Sequence, residues 1–568
     1  MSNHVRNDID RRLGGNGSSH LLAALWDPFL VAAFVCAAFS SAGAAVVGLY
    51  EASRGFPDGA GFAIRLVVKV LIFGAAAAGL AYALLRRRSP PPVVPQELTP
   101  SASWRVRVVV LVGLAAMVSL ALPKLDSYPW IAPDESHHLI VARNLALYGR
   151  YASGHPETGL SPFDAYDSVG APVILPVAAA LHLGGISART GRLPIALYAC
   201  LLFVAAYAFA APAFGARAAA FGAWMLLMAG STVYLSRTLY GEVPAVFYLV
   251  LGLTLWRRAL QRPAWRIEGL LAGLCFGAAV LCKAIVLLSA FAFLGAWIYD
   301  RATARRIGAR HIVGPAIGFA LIYGAWSLYQ AMAGGASSGL ADILALYKPL
   351  LLFGFDSVDD TLRALFRHPA ELVTGVGGLL VAMPVAFHRR YDPPAIVLLM
   401  TAAVYIFWWT FFTEGQLPRY LWLGYGPAAV GAGLMLDVAV DAVCSRGRPW
   451  PPRLAWLAVL TVVVVPALAW TAQQAGLVYS CDETYDERAL AEHIRDVPPG
   501  TSIGSTYYPL CRTLDFLTGR PVALVIPASS DLTPCDIVAI DTRTQSDFMQ
   551  GITVAYVCGR YAVARTED

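Results

Sequence analysis

Charge is what this sequence has least of. Aspartate, glutamate, lysine and arginine make up 14% of its 568 residues, against 57% hydrophobic ones. So little charge cannot clothe a soluble globule of that length, and a mean hydropathy of +0.58 puts the chain among polytopic membrane proteins. The net charge of +6 does not indicate nucleic acid as a partner, because the arginines fall in short clusters between apolar runs, the pattern of positive-inside anchors. The sequence has no Walker loop, dinucleotide fingerprint or HExxH metal motif, no CxxC spacing and no strict internal repeat. It also lacks a small-residue cleavage site after its polar start, MSNHVRNDIDRRLGGNGSS, which therefore reads as an uncleaved cytoplasmic tail.

Apolar runs near the ~20 residues that a crossing helix needs lie near 21–50, 62–85, 106–123, 191–211, 217–235, 243–260, 267–282, 285–299, 312–332, 371–387, 395–413, 419–438 and 454–473. They amount to about 13 spans, with boundaries loose by several residues. The arginines orient them. Arg11 and Arg12, Arg86 to Arg88 with Arg105 and Arg107, Arg257, Arg258, Arg262 and Arg266, Arg301, Arg305, Arg306 and Arg310, Arg389 and Arg390, and Arg446, Arg448 and Arg453 all become cytoplasmic in one threading. That threading holds only if residues 171–186, APVILPVAAALHLGGI, do not cross. Their length, with Pro172 and Pro176, suits a short helix at or dipping into the outer face.

Four parts follow. Residues 1–104 hold the cytoplasmic tail, two leading spans and a proline-rich linker at 88–100. Residues 105–332 form a transmembrane module with a large outer loop at 124–190, and 333–473 hold a second long outer loop and the last spans. Residues 474–568 change composition: an amphipathic helical pattern at 485–496 and alternating runs such as VALVI and DIVAID predict a small α/β domain on the outer face. Of the nine cysteines, Cys481, Cys511, Cys535 and Cys558 lie in this tail, an even number that suits two disulfides in an oxidising compartment, with three pairings open.

The threading brings the chain's unusual polar residues to one face. The densest stretch, WIAPDESHHLIVARNLALYGRY at 130–151, carries Asp134, Glu135, His137 and His138. Asp164 and Asp167 follow in the same loop, Arg237, Tyr240 and Glu242 sit in a turn, Lys283 interrupts VLCKAIVLL, and Arg419 with Tyr420 heads a late span. The acids also have a plain explanation, since Pro133 suits a first helical turn and acids there favour the helix dipole. A buried ammonium such as Lys283 is expensive and marks a functional candidate. Trp408 and Trp409 read as an aromatic belt, and the loop at 333–370 as a candidate lid.

The order DE, ARNLALYGRY, a proline-bearing apolar helix, GRLPIALY, FGARAAAFGAWMLLMAGSTVYLSRTLYGEVP, LLAGLCFGAAVLCK and LPRYLWLGYGP resembles the polyprenyl-phosphate-sugar-dependent GT-C glycosyltransferases, in particular the aminoarabinose transferases of lipid A and the protein mannosyltransferases. The likeness covers about residues 105–440. It implies a mainly α GT-C bundle with outer-face juxtamembrane helices, in a bacterial inner (plasma) membrane, with the active site and tail domain extracytoplasmic. The donor would be a polyprenyl-phosphate sugar and the acceptor a glycan, lipid or protein hydroxyl, with inversion at the anomeric carbon. Asp134 takes the place of the family's first-loop acid as general base, with Glu135 as its supporting partner. Glu242 matches the second acidic position, where acids hold a metal or the acceptor.

The doubled histidine departs from the family's usual aromatic residue or arginine. With Asp134 and Glu242 as metal ligands, and His137, His138 and Asp167 as acceptor or metal ligands, the cation would be Mg²⁺, Mn²⁺, Ca²⁺ or Zn²⁺. Lys283, Arg419, Arg237 and Tyr420 would hold the donor phosphate. A transporter or lipid-linked sugar flippase is the rival reading of the same charges.

Overall fold

The computed structural model describes residues 31, 33, 104–162, 169–229, 231–261, 266–332, 375, 377–389, 392–412, 418–444, 450–525, 535–542 and 554–565. The leading spans, the proline-rich linker, Asp164, Asp167 and the loop at 333–370 fall outside them.

The apolar runs become helices. In chain order these are α1 (Trp104–Ala121), α2 (Pro133–Tyr148), α3 (Ala171–Gly184), α4 (Ala188–Phe214), α5 (Ala216–Met228), α6 (Glu242–Gln261), α7 (Arg266–Cys282), α8 (Ser289–Thr303), α9 (Arg310–Met332), α10 (Gly378–Pro384), α11 (Pro393–Phe412), α12 (Pro418–Cys444) and α13 (Trp450–Ser480). Among the described residues seven helices are long and apolar enough to cross a membrane, and shorter apolar helices accompany them. The count is below the sequence expectation partly because some runs divide. The run at 217–235 becomes α5 and a separate turn Thr232–Leu235, and the run at 285–299 opens with a 3₁₀ turn, Ala284–Leu288.

Helix α3 explains the anomalous segment at 171–186. Its 14 residues rise about 21 Å at ~1.5 Å each, short of the ~30 Å hydrocarbon core. It packs between α2 and α4, as a juxtamembrane element does.

Ionisable side chains confirm which helix ends lie together. At one end, Arg257 of α6 forks onto Asp392, Nε to Oδ1 at 3.1 Å and Nη2 to Oδ2 at 2.6 Å, while its Nη1 donates to Phe209 O at 2.6 Å. Arg217 pairs with Asp437 and Asp441, and buried Asp300 accepts from the amides of Arg306 and Ile307. Of the arginine clusters, the described Arg257 and Arg306 thus lie at one end of the helices. Asp134, Glu242, Lys283 and Arg419 gather at the other.

The tail folds as expected into a small α/β domain, with α14 (Tyr485–Arg495), β3 (Ile503–Ser505), α15 (Tyr508–Thr518), β4 (Val522–Leu524), β5 (Ile537–Asp541), β6 (Val554–Cys558) and β7 (Tyr561–Arg565). Its sheet runs β4-β3-β5-β7-β6. β3 is parallel to β4 and β5, and β7 antiparallel to β5 and β6. Strands β3 and β5 are buried throughout, as inner strands covered on both faces are. Two disulfides do not form here: Cys481, Cys511 and Cys558 are free thiols. Cys511 instead lies in the domain core, its Sγ 3.5 Å from Ser505 O and from Ala523 O, where a thiol serves as a small apolar side chain.

A hairpin, β1 (Ala152–His155) and β2 (Gly159–Pro162), follows α2. Asn144 ties it down by donating from Nδ2 to Ala152 O and Gly154 O, at 3.0 and 2.9 Å.

Candidate active site

Helix α2 starts where the sequence says it should. Pro133 occupies the first turn, Asp134 and Glu135 follow it, and Gly149 in the left-handed region stops the helix with its amide on Leu145 O. Pro fits there because the first amides have no intrahelical partner, and acids are favoured by the helix dipole. The adjacent acids then point to different environments, since successive helical positions differ by about 100°.

Asp134 faces the site. Its Oδ2 accepts from Arg419 Nη2 at 2.6 Å, with the aspartate side chain 54% exposed and the arginine 15%. Burial pushes the Asp134 carboxyl up, but the charge and hydrogen bond of Arg419, with His138 and Lys283 behind them, outweigh it and hold the group below its ordinary range. Arg419 keeps this carboxylate ionised.

Glu135 faces inward and is fully buried against Arg192 of α4. The fork is bidentate, Nε to Oε1 at 2.8 Å and Nη2 to Oε2 at 2.6 Å, and Nη1 of the same arginine donates to Leu125 O at 2.8 Å. Glu135 thus supports Asp134 by fixing α2 on α4, without touching it through this fork. Arg192, at the head of a span in GRLPIALY, is not among the residues that the sequence singles out, yet it anchors the site helix. A lone arginine opposite an acid on a loop helix was the available signal.

Glu242 and Lys283 are brought together as the threading requires. Lys283 Nζ lies 3.4 Å from Glu242 Oε1, donates to Tyr240 O at 3.2 Å and sits 5.3 Å from the Tyr420 ring centre. Arg419 stacks on Tyr240 at 4.4 Å and on Tyr420 at 5.3 Å, so Tyr420 stands beside both cations. Neither Glu242 oxygen, nor Arg419 Nε, has a hydrogen-bond partner among the described residues, although all three atoms are buried. Buried polar groups are nearly always satisfied, which makes these atoms candidates for contact with a bound molecule.

The turns that carry Glu242 and Lys283 touch back to back. Gly241 has φ +86°, and a Cβ on it would lie 2.3 Å from Cys282 O. Gly241→Ala is expected to push the two turns apart, lowering the thermal midpoint and the yield of folded protein together; wild-type melting would show that the close approach is dispensable.

Other expected residues have different work. Arg237 is fully buried and spends its guanidinium on five carbonyls: Tyr128 O at 2.9 Å, Leu120 O at 2.8 Å, Ala121 O at 3.2 Å, Pro123 O at 2.6 Å and Lys124 O at 2.7 Å. It closes the C-terminus of α1, where a cation is favoured, and has no nitrogen left for a phosphate. His138 is buried and donates from Nδ1 to Leu239 O at 2.6 Å, tying α2 to the Tyr240–Glu242 turn. His137 is half-buried beside it, the rings 6.2 Å apart. Trp408 and Trp409 are 1% exposed, so they are interior, with Trp408 packed edge-on against Tyr420, and do not form a lipid-facing belt. Among the described residues no three His, Cys, Asp or Glu side chains gather as a metal would need. Asp134 and Glu242 each face a cation instead, Arg419 and Lys283, and Asp167 lies outside the described residues.

The described helices also enclose an apolar cavity of about 430 Å³. It runs from Val286 and Leu287, just past Lys283, between α6, α7, α8 and α9 to Ile307 and His311 at the opposite end, with Leu249, Phe293 and Phe319 among its walls. That volume is within the roughly 300–1,000 Å³ of ligand pockets.

Comparison with known proteins agrees with this architecture. The sequence profile of the dolichyl-phosphate-mannose-protein mannosyltransferase family matches residues 171–329, a stretch that contains Arg192, Glu242 and Lys283. No curated protein sequence matches the chain. Among solved structures, ArnT from Cupriavidus metallidurans bound to undecaprenyl phosphate is similar with a TM-score of 0.59 at 16% identity, over 82% of this chain and 98% of that one. The same protein in the apo state gives 0.54 at 15% identity, with the same coverage. The archaeal oligosaccharyltransferase AglB from Archaeoglobus fulgidus, in complex with an inhibitory peptide and a dolichol-phosphate, gives 0.52 at 14% identity, over 78% of this chain and 70% of that one. The chain has the GT-C fold.

Proposed function

We propose that this chain is a membrane glycosyltransferase that moves a sugar from a polyprenyl-phosphate donor to an acceptor hydroxyl at the extracytoplasmic face. The observation that carries the reading is the cluster at one helix end, in which Lys283 pairs with Glu242 and Arg419 with Asp134 while both Glu242 oxygens and Arg419 Nε lack hydrogen-bond partners. An apolar cavity suited to a prenyl tail has its first wall residues, Val286 and Leu287, three and four positions after Lys283. ArnT with undecaprenyl phosphate and AglB with a dolichol-phosphate support the choice of ligand.

The residues divide the work as follows. The lipid tail enters the cavity, and its phosphate meets Lys283 and Arg419, whose charges stabilise the anion as it leaves. Tyr420 holds the two cations apart and ready. Arg419 also pairs with Asp134 in the resting site, so a phosphate that draws the guanidinium away frees the carboxylate and removes the main influence that lowers its pKa. Asp134 then takes the proton of the acceptor hydroxyl. The oxygen attacks the anomeric carbon, the bond to the lipid phosphate breaks with its electron pair on phosphate, and a single displacement inverts the centre. Glu242 accepts a hydrogen bond from a hydroxyl of the bound sugar or acceptor. The acceptor is a glycan, lipid or protein, and the membrane is the bacterial inner membrane.

A transporter would carry its charges toward the bilayer midplane. The described ion pairs collect at the two helix ends, with Arg257–Asp392 closing the far one.

The test is direct. Lipid extracted from the purified protein is expected to contain a polyprenyl phosphate by mass spectrometry, and Lys283→Met with Arg419→Gln is expected to lower its occupancy at least about tenfold, as two charge-assisted contacts are lost. Equal occupancy in the double variant would remove these residues from the donor site. Absence of sugar transfer from any lipid-phosphate sugar in reconstituted vesicles would count against the reading as a whole.

A further inference from the structure

Helix α2 lies between two layers. The membrane module holds it from below through Glu135–Arg192, His138–Leu239 O and Asp134–Arg419. The tail domain holds it from the other side. Arg143 Nη1 donates to both Asp515 O at 2.7 Å and Asp515 Oδ1 at 2.9 Å, and this pair is buried, with side chains 3% and 9% exposed. Thr513 Oγ1 donates to Ile131 O at 3.4 Å just before the helix, and His155 Nε2 donates to Gly519 O at 2.8 Å just after it. Farther upstream, the amide of Glu483 donates to Ser127 O at 2.8 Å, and Glu483 Oε2 accepts from the amide of Trp130 at 3.1 Å. Both ends of the short loop helix are thus bound by the last hundred residues of the chain. Nine residues at about 100° each put Arg143 on the face of α2 opposite Asp134, so the tail grips the back of the helix whose front carries the acid.

We infer that the tail domain is a positioning part for the reaction: Asp515, acting through Arg143, sets where α2 presents Asp134. The inference rests on the transferase reading for what Asp134 does, but not for how it is held. A catalytic group displaced by about 1 Å loses on the order of a hundredfold in rate, whereas α2 without its outer layer still has Glu135–Arg192 to keep it near the bundle. Losing the clamp therefore costs turnover more than donor binding, because the donor's phosphate and tail contact α12, Lys283 and the cavity and not the back of α2. Asp515 is a positioning residue, not a catalytic one.

Hydrogen exchange and kinetics on the full-length protein in nanodiscs test this together. In Arg143→Gln and in Asp515→Asn, amides of residues 133–148 are expected to exchange about tenfold faster, reflecting local opening, while sheet amides at 503–505 and 537–541 keep wild-type rates. kcat is expected to fall about ten- to a hundredfold with donor KM within about twofold, and Arg143→Lys to recover most of the loss. Unchanged exchange over 133–148 in both variants overturns the inference. So does faster exchange there with an unchanged kcat, and so does faster exchange of the sheet in both variants, which would trace the lost activity to an unfolded tail. Wild-type protein that transfers no sugar would sink the transferase reading alone, since the exchange data would still decide whether the tail holds α2.

Discussion

Asp134→Asn is expected to reduce sugar transfer by about 100- to 10,000-fold, the usual worth of a positioned general base, while leaving folding and donor occupancy near wild type. The side chain is more than half exposed and pairs with Arg419, so the amide fits the same space with little strain. The pH dependence carries a sign that separates this role from a structural one. Burial raises the Asp134 carboxyl, but Arg419 first and then His138 and Lys283 pull it below its ordinary value. The free enzyme should therefore keep its base down to unusually low pH, and the acid limb of kcat/KM should lie below the ordinary carboxylate range. Arg419→Gln removes the largest lowering influence, so its limb should move up in pH as donor binding weakens. Full transfer activity in Asp134→Asn would end the assignment, and an unmoved limb in Arg419→Gln would show that the titrating group is elsewhere.

Arg192→Met is expected to cost about 3–5 kcal/mol of stability, because it strands the Glu135 carboxylate in a fully buried position with its bidentate partner gone. Glu135→Leu alone should be comparably harmful, since it leaves an unpaired guanidinium. The double replacement should be much milder than either single one, because apolar side chains of similar volume can replace a buried ion pair at little or no net loss. Thermal melts in detergent, scored as a double-mutant cycle, give the coupling directly. If the single variants melt like wild type, Glu135–Arg192 does not hold α2 on α4. The double variant carries a second readout: with melting restored, any remaining loss of kcat reports how far the pair sets the angle of Asp134.

Much of this site was legible in the sequence for a physical reason. Lys283, Arg419 and Glu242 interrupt runs where a charge is expensive, and counting arginines assigns the ends of those runs to one side, so their meeting follows from topology. Residues 171–186 are also readable, since 14 helical residues do not span a bilayer. What the sequence hides is which partner each charge takes. Arg237 stands at a span boundary just as Arg419 does, but α1 ends beside it and offers five carbonyls, a demand that no residue pattern displays. Asp134 and Glu135 are adjacent and look like a pair; the helical turn between them sends one to Arg419 and the other to Arg192. The tail's cysteines match a disulfide count by number, yet Cys511 sits in the domain core as an apolar filler. Composition reports that charges exist, and three-dimensional neighbours decide what they do.

The clasp between Arg143 and Asp515 also fixes a moment in the life of the chain. The two residues are 372 apart in sequence, so at about 5–20 residues per second a ribosome needs roughly 20–75 s to go from one to the other. During that interval the cavity, Lys283 and Arg419 emerge and settle while α2 has only one of its two layers. Under the transferase reading, a nascent chain meets its lipid before it has a fully set base, and competence waits for the segment that carries Asp515.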